Sequence, residues 1–159
     1  MLGKGKTKKR ISQLIQNFKN MDFEVLTEYT TIPMYNSSID TDIIEKYNNN
    51  IDAIFVCGGD GTLHHVIKEI YAHGENIPVG FIPLGTTNDF AKSLHVSRRK
   101  ILDFAKNFDK YIPHNTDVGL INNNNVFVYI VAFGIFCKSS YKTDYKLKHK
   151  FRKIILYST

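Results

Sequence analysis

The sequence has little with which to staple itself together and no apolar run long enough to span a bilayer. Two cysteines occur in 159 residues, Cys57 and Cys137, and both sit in apolar runs, IFVC and FGIFC. That placement reads as buried free thiols in a reducing, cytoplasmic setting rather than as a disulfide framework. A domain of this length buries a sizeable core without such staples. The longest apolar run, Val126 to Cys137, falls well short of the ~20 residues that a spanning helix needs, so membrane contact is expected to be peripheral. The N-terminus, MLGKGKTKKR, is basic but leads into no apolar segment, and no signal peptide is read there. Internal repeats are lacking, and so is any zinc-like spacing of cysteine, histidine and acid. Acidic residues are the scarcer charge, 15 against 21 Lys and Arg, giving a formal net charge of +6. A basic balance favours anionic partners, whether nucleotides, nucleic acid or an anionic membrane surface, and does not choose among them.

What is present is a regular alternation of helix and strand patterns. Ile11, Leu14, Ile15 and Phe18 predict a helix over 7–18, and Phe23 to Leu26 reads as a short strand. Ile39, Ile43, Ile44 and Tyr47 fall at helical spacing. IDAIFVC (51–57) is short and continuously apolar, as a strand buried on both faces should be. Leu63, Val66, Ile67, Ile70 and Tyr71 make a helical stripe, and Val79 to Ile82 is a strand stopped by Pro83. Short helices are expected over 89–94 and 101–108. Two strands, 118–121 and 126–136, are expected to join through the Asn122–Asn125 turn, and a basic helix over 142–157 closes the chain. The alternation predicts one α/β domain over 1–159, a three-layer sandwich with a mostly parallel sheet. Its first helix has no strand before it and its last element stops while still apolar, so structure is expected to be missing on both sides. Apolar surface left open by a missing first strand would favour self-association, a homo-oligomer.

Gly58-Gly59-Asp60-Gly61-Thr62 lies between the buried strand and the amphipathic helix. Glycines let a backbone approach a phosphate closely. The unpaired N–H groups of the following helix start form an anion site with them. Asp60 beside a phosphate is repelled unless a cation intervenes, and Mg²⁺ takes carboxylate, water and phosphate oxygens together. The loop therefore points to Mg²⁺ and ATP rather than to bare phosphate; a plain tight turn is the alternative. A second loop, Pro83-Leu84-Gly85-Thr86-Thr87-Asn88-Asp89-Phe90, again joins a strand to a helix. Gly85 permits the turn. Thr86, Thr87 and Asn88 offer hydroxyl and amide donors to phosphate or ribose. Asp89 is either a helix N-cap or part of a metal and water network. Asp117 precedes a third strand, and Asp60, Asp89 and Asp117 can share one hydrated metal only if that strand runs antiparallel to the others. His64 and His65 read as surface or phosphate-proximal groups rather than metal ligands. The basic and aromatic residues of 141–153 read either as a solvated helix face or as a surface for anionic lipid.

Taken together, GGDGTLHHVI (58–67), IPLGTTNDFAKSLHV (82–96) and TDVG (116–119), with weaker support from FGIFCKSSYKT (133–143), resemble the diacylglycerol kinase catalytic domain family, which includes bacterial lipid kinases and sphingosine kinases. The resemblance runs through nearly the whole chain. Gly-Gly-Asp-Gly-Thr alone is shared with NAD kinases, whereas Pro-Leu-Gly-Thr-Thr-Asn-Asp-Phe is far more specific. The resemblance implies transfer of the γ-phosphate of ATP to a lipid hydroxyl, with diacylglycerol as the commonest acceptor, and nucleic acid is not an expected partner. It implies that Gly58, Gly59, Asp60, Gly61, Thr62, Leu63, His64 and Thr86 contact ATP. Thr30 corresponds to a further nucleotide-contacting threonine, with Thr31 as a shifted alternative, and Gly3 to the end of a first phosphate loop. Where the family has Asn-Glu or His-Glu after its Gly-Asp-Gly-Thr-Leu, this chain has His64-His65. The family's second, β-sandwich domain, with its general base, is not represented in these residues, so the fragment is expected to be inactive alone. An NAD kinase-like enzyme and a non-catalytic nucleotide-binding remnant are the competing readings.

Overall fold

The structure, a computed structural model, describes residues 4–29, 43–47, 50–96, 107, 110–122 and 125–131. Its elements are α1 (Lys4–Lys19), α2 (Ile43–Lys46), β1 (Ile54–Gly58), α3 (Asp60–Ala72), β2 (Val79–Pro83), α4 (Asp89–Ser93), β3 (Gly119–Ile121) and β4 (Asn125–Phe127). All belong to one compact unit, Met1–Tyr129; of a second, Ile130–Thr159, only Ile130 and Val131 are among the described residues. Among the described residues β1 and β2 pair in parallel and β3 and β4 pair antiparallel, as two separate two-stranded sheets.

The central layer follows from side-chain alternation along β1 and β2. Paired residues share a face: Phe55 with Gly80 and Cys57 with Ile82 on one side, Ile54 with Val79 and Val56 with Phe81 on the other. The first face meets α1, where Leu14, Phe18 and Ile82 are buried together and Val25, Phe55, Cys57 and Leu84 pack against them. The second meets α3 and α2, where Ile44, Val56, Leu63, Val66 and Ile70 form the core, flanked by Ile77, Phe90 and Val128. Helix, sheet, helix is the three-layer arrangement that the alternation predicts. Gly80 is required where it stands, because a Cβ there would lie 2.4 Å from the Phe55 ring.

Helix ends are set locally. α3 stops at Gly74, with φ +67, the Gly74 N–H on the Tyr71 carbonyl and the Glu75 N–H on that of Ile70. α1 stops by the same pair of bonds around Asp22, at φ 63, with the Phe23 N–H on the Phe18 carbonyl and the two rings packed edge to face at 5.9 Å. A residue in the left-handed region followed by an apolar contact back to the last turn is how many helices satisfy their final carbonyls.

Three expectations change. Phe23 to Leu26 forms no strand and joins no ladder among the described residues; Val25 packs inward while Phe23 and Leu26 are exposed. Apolar alternation turned this segment towards the core, but a strand also needs a neighbouring backbone to bond. Tyr71 belongs to the exposed side of α3 rather than to its buried stripe. The second strand of the hairpin ends at Phe127, and residues 128–131 leave the ladder. Of the turn before it, Asn122 is described and stands at φ 50, a conformation asparagine tolerates; residues 123 and 124 lie outside the described residues. The expected helices over 101–108 (Asn107 excepted) and 142–157, and the helical residues 39–42, lie outside the described residues.

A candidate nucleotide site at the ends of two parallel strands

The register Gly58 to Pro83 brings the carboxyl ends of β1 and β2 level. Each strand runs directly into a loop and a helix, β1 into α3 and β2 into α4. In open α/β sheets, ligands bind outside these strand ends. The two loops touch through their backbones. The Gly58 carbonyl accepts from the Leu84 N–H at 2.7 Å and the Gly85 N–H at 3.1 Å. A Cβ on Gly85 would lie 2.5 Å from the Gly59 Cα and 2.6 Å from the Asn88 Oδ1, and one on Gly59 would lie 3.3 Å from the Gly85 Cα. A Cβ on Gly58 would meet the Thr62 Oγ1 at 2.6 Å, since the Thr62 side chain folds back over it. Gly58 and Gly85 are thus demanded by packing within the protein before any ligand is considered, and Gly59 has little room to spare.

The N-terminus of α3 is open. Gly59 is its N-cap residue, no side chain caps it, and the Leu63 N–H bonded to the Gly59 carbonyl at 3.1 Å begins its ladder. The N–H groups of Asp60, Gly61 and Thr62 precede that ladder and carry the partial positive charge of a helix start. Gly61 is exposed there, and Asp60 and Thr62 are half-buried.

The N-terminus of α4 is closed, and from an unexpected direction. The Asp60 carboxylate accepts from the Asp89 N–H at 2.9 Å, from the Phe90 N–H at 3.2 Å and, at 3.4 Å, from the Thr87 hydroxyl. Asn88, the residue in the N-cap position, takes the left-handed conformation at φ 50 and ψ 54 and makes no side-chain cap. Its Nδ2 instead donates to the Gly85 carbonyl at 2.9 Å, and its Oδ1 is buried with no partner. Asp89 is therefore the first helical residue and not the cap; its own carboxylate pairs with Lys92 at 2.7 Å on the exposed side.

The remaining sequence-marked residues scatter more widely. The Leu63 side chain is among the most buried of the core, so what it contributes is packing. Thr86 is exposed in the loop between β2 and α4. His64 and His65 stand on the first turn of α3 with rings 5.9 Å apart. Burial first, then the neighbouring His65 and Lys68, hold His64 below the ordinary histidine pKa. The Cys57 thiol, just ahead of the loop, is pushed up to about 11 by burial and stays protonated. Asp117 is exposed ahead of β3, whose partner is β4 rather than β1 or β2. Among the described residues, no three acidic, histidine or cysteine side chains are gathered so as to hold a metal ion together. Thr30, Thr31 and Gly3 lie outside the described residues. Among the described residues, no helix is long and apolar enough to cross a membrane.

Comparison with known proteins decides the family. The sequence model of the diacylglycerol kinase catalytic domain matches residues 2–121, which include both loops and the strands that carry them. The chain belongs to the diacylglycerol kinase catalytic domain family. It is 29% identical over 150 residues to a diacylglycerol kinase of Bacillus subtilis, covering 94% of this chain and 48% of that protein. To a diacylglycerol kinase of Staphylococcus carnosus it is 30% identical over 149 residues, 92% of this chain and 46% of the other. To one of Staphylococcus aureus strain JH9 it is 36% identical over 104 residues, 64% and 31% respectively. The chain spans about half the length of the first two of these relatives. No solved structure matches.

Within this diacylglycerol kinase-family chain, the sequence singled out both loops but missed how they are joined. Asp60 and Asp89 lie far apart in sequence, in two motifs that each read as self-contained, and no local spacing announces that one caps the helix of the other. The nearest signal was Asp89 read as a possible cap; the N-cap position falls instead to Asn88, whose side chain makes no cap.

Proposed function

We propose that this chain is the nucleotide-binding half of an ATP-dependent lipid kinase. The observation that carries the reading is the open N-terminus of α3, placed at the level ends of two parallel strands beside a second loop. The family membership and the printed names of the relatives support diacylglycerol as the acceptor, giving phosphatidic acid. The N–H groups of Asp60, Gly61 and Thr62 would take the phosphates, with Gly58, Gly59 and Gly85 keeping the backbones low around them. Thr86, Thr87 and the backbone of 85–88 border the same space, and Thr30 and His64 are assigned to the nucleotide from the resemblance.

The donor set also bears on Mg²⁺. A carboxylate offers about four lone-pair sites, and three protein donors already meet that of Asp60. What remains suits an ion held mainly by phosphate oxygens and water, as Mg²⁺ usually is. Asp60 would contribute its free site, and Asp89 and Asp117 would act through water. Such an ion neutralises charge developing on the transferred phosphoryl group. The protein's own part is to hold the phosphates still on a preformed backbone. The general base and the lipid pocket are assigned to the half of the relatives that this chain does not match. Cytoplasmic placement with peripheral contact at the anionic inner face of the membrane fits the net charge of +6.

A phosphoryl-transfer assay tests the reading, with γ-labelled ATP and diacylglycerol or sphingosine in mixed micelles. It is run on this chain and on this chain extended through any in-frame sequence that follows it. The reading expects label in lipid only from the longer protein. Transfer to NAD and not to lipid would replace it with a NAD kinase.

A further inference from the structure

We infer that Asp60 is a positioning residue: its carboxylate caps α4 across the sheet and so binds the two loops of the site into one preformed unit, independently of any metal. The inference rests on the nucleotide reading for its consequence but not for its geometry. α4 has only five residues and its N-cap side chain is turned away, with the Asn88 Nδ2 spent on the Gly85 carbonyl. The N–H groups of Asp89 and Phe90 find their acceptors on Asp60, one on each carboxylate oxygen. Asp60 is itself the first residue of α3. One side chain therefore joins the start of one helix to the start of the next, 29 and 30 residues along the chain.

The backbone contacts reinforce the same junction. The Gly58 carbonyl holds Leu84 and Gly85, and Gly59 lies against Gly85 at a distance no side chain on Gly85 would allow. With the carboxylate in place, the second loop cannot swing away from the first without losing bonds at both its ends. Without it, the start of α4 has two uncapped N–H groups, and what remains at that end of the loop is the packing of Phe90 and Ala91. A carboxylate that served only as a metal ligand would leave α4 unchanged when it is replaced in the absence of metal.

The test separates these roles by working in EDTA. Amide hydrogen exchange is followed by NMR on this chain as wild type, Asp60→Ala, Asp60→Asn and Thr87→Val. Capping predicts that Asp60→Ala speeds exchange at Asp89 and Phe90 by about tenfold, while Val66 in α3 and Ile82 in β2 keep their wild-type rates and so report an intact fold. Asp60→Asn keeps one acceptor oxygen and is expected to protect one of the two amides; Thr87→Val, which loses only the longest bond, is expected to change neither. In a second arm, metal-free ADP binding is expected to weaken in Asp60→Ala and to recover in part in Asp60→Asn. Unchanged exchange at Asp89 and Phe90 in Asp60→Ala overturns the cap. Altered exchange with unchanged metal-free ADP affinity overturns its role in positioning the nucleotide. Failure of the wild type to bind ADP at all overturns the nucleotide reading instead, and the exchange arm still decides the cap.

Discussion

At the scale of single residues, the glycines of the two loops have separable reasons. Neither Gly59 nor Gly85 has a positive φ, so their constraint is steric. A Cβ on Gly85 would press on backbone at 2.5 Å, whereas one on Gly59 needs its neighbour to give by a few tenths of an ångström from 3.3 Å. Overpacking of this kind costs about 1–3 kcal/mol. Gly85→Ala is expected to lower stability by that amount and Gly59→Ala by distinctly less, read as shifts in the urea midpoint at constant m-value. Equal shifts would mean the loops do not meet as described. His64 carries a pH effect whose sign is fixed by its environment. Burial and positive neighbours lower its folded pKa, so as pH falls the unfolded chain takes up the proton first and gains on the folded one. Its contribution to stability is nil above about pH 7.5 and turns unfavourable as pH falls through the ordinary histidine value of about 6.5. His64→Gln is expected to flatten this part of the stability profile, measured by urea melts at about pH 8, 6.5 and 5.

At the scale of elements, the sequence was most legible where one period ran unbroken. IDAIFVC and VGFI read as buried strands because both of their faces meet apolar layers, and both proved to be strands. The stripe of α3 located Leu63, Val66 and Ile70 correctly and overreached at Tyr71, one position round the helix. Phe23 to Leu26 carries the same apolar signature as a strand but has no ladder among the described residues, because pairing depends on what lies beside a segment and not on its own residues. Leu63 shows how a motif and a core can overlap. It belongs to Gly-Asp-Gly-Thr-Leu by sequence, yet its side chain packs with Val56, Val66 and Ile70. Leu63→Ala is therefore expected to cost about 2–5 kcal/mol of folding stability, measured by denaturant unfolding; a change confined to nucleotide affinity, with stability unaltered, would place the side chain at the ligand instead.

At the scale of the whole molecule, the site is built by topology. Parallel pairing levels two strand ends, the helices that follow start side by side, and one start is left open while a carboxylate on it closes the other. The sequence could name the residues of both loops, since glycine-rich strand-to-helix turns carry their chemistry locally. It could not divide the labour between the two helix starts, because the Asp60 bond to α4 exists only after β1 and β2 have paired. The proposed metal cluster shows the same boundary. Asp60, Asp89 and Asp117 each precede or follow a strand, but only the first two are brought together by the described fold.

The most direct test of the site is an NMR titration of this chain with ATP and Mg²⁺. Amide shifts are expected to concentrate at Gly59, Asp60, Gly61 and Thr62 and, more weakly, at 85–88, with the core amides of β2 unmoved. Shifts elsewhere, or none at millimolar ATP, would contradict a nucleotide site at the ends of these strands.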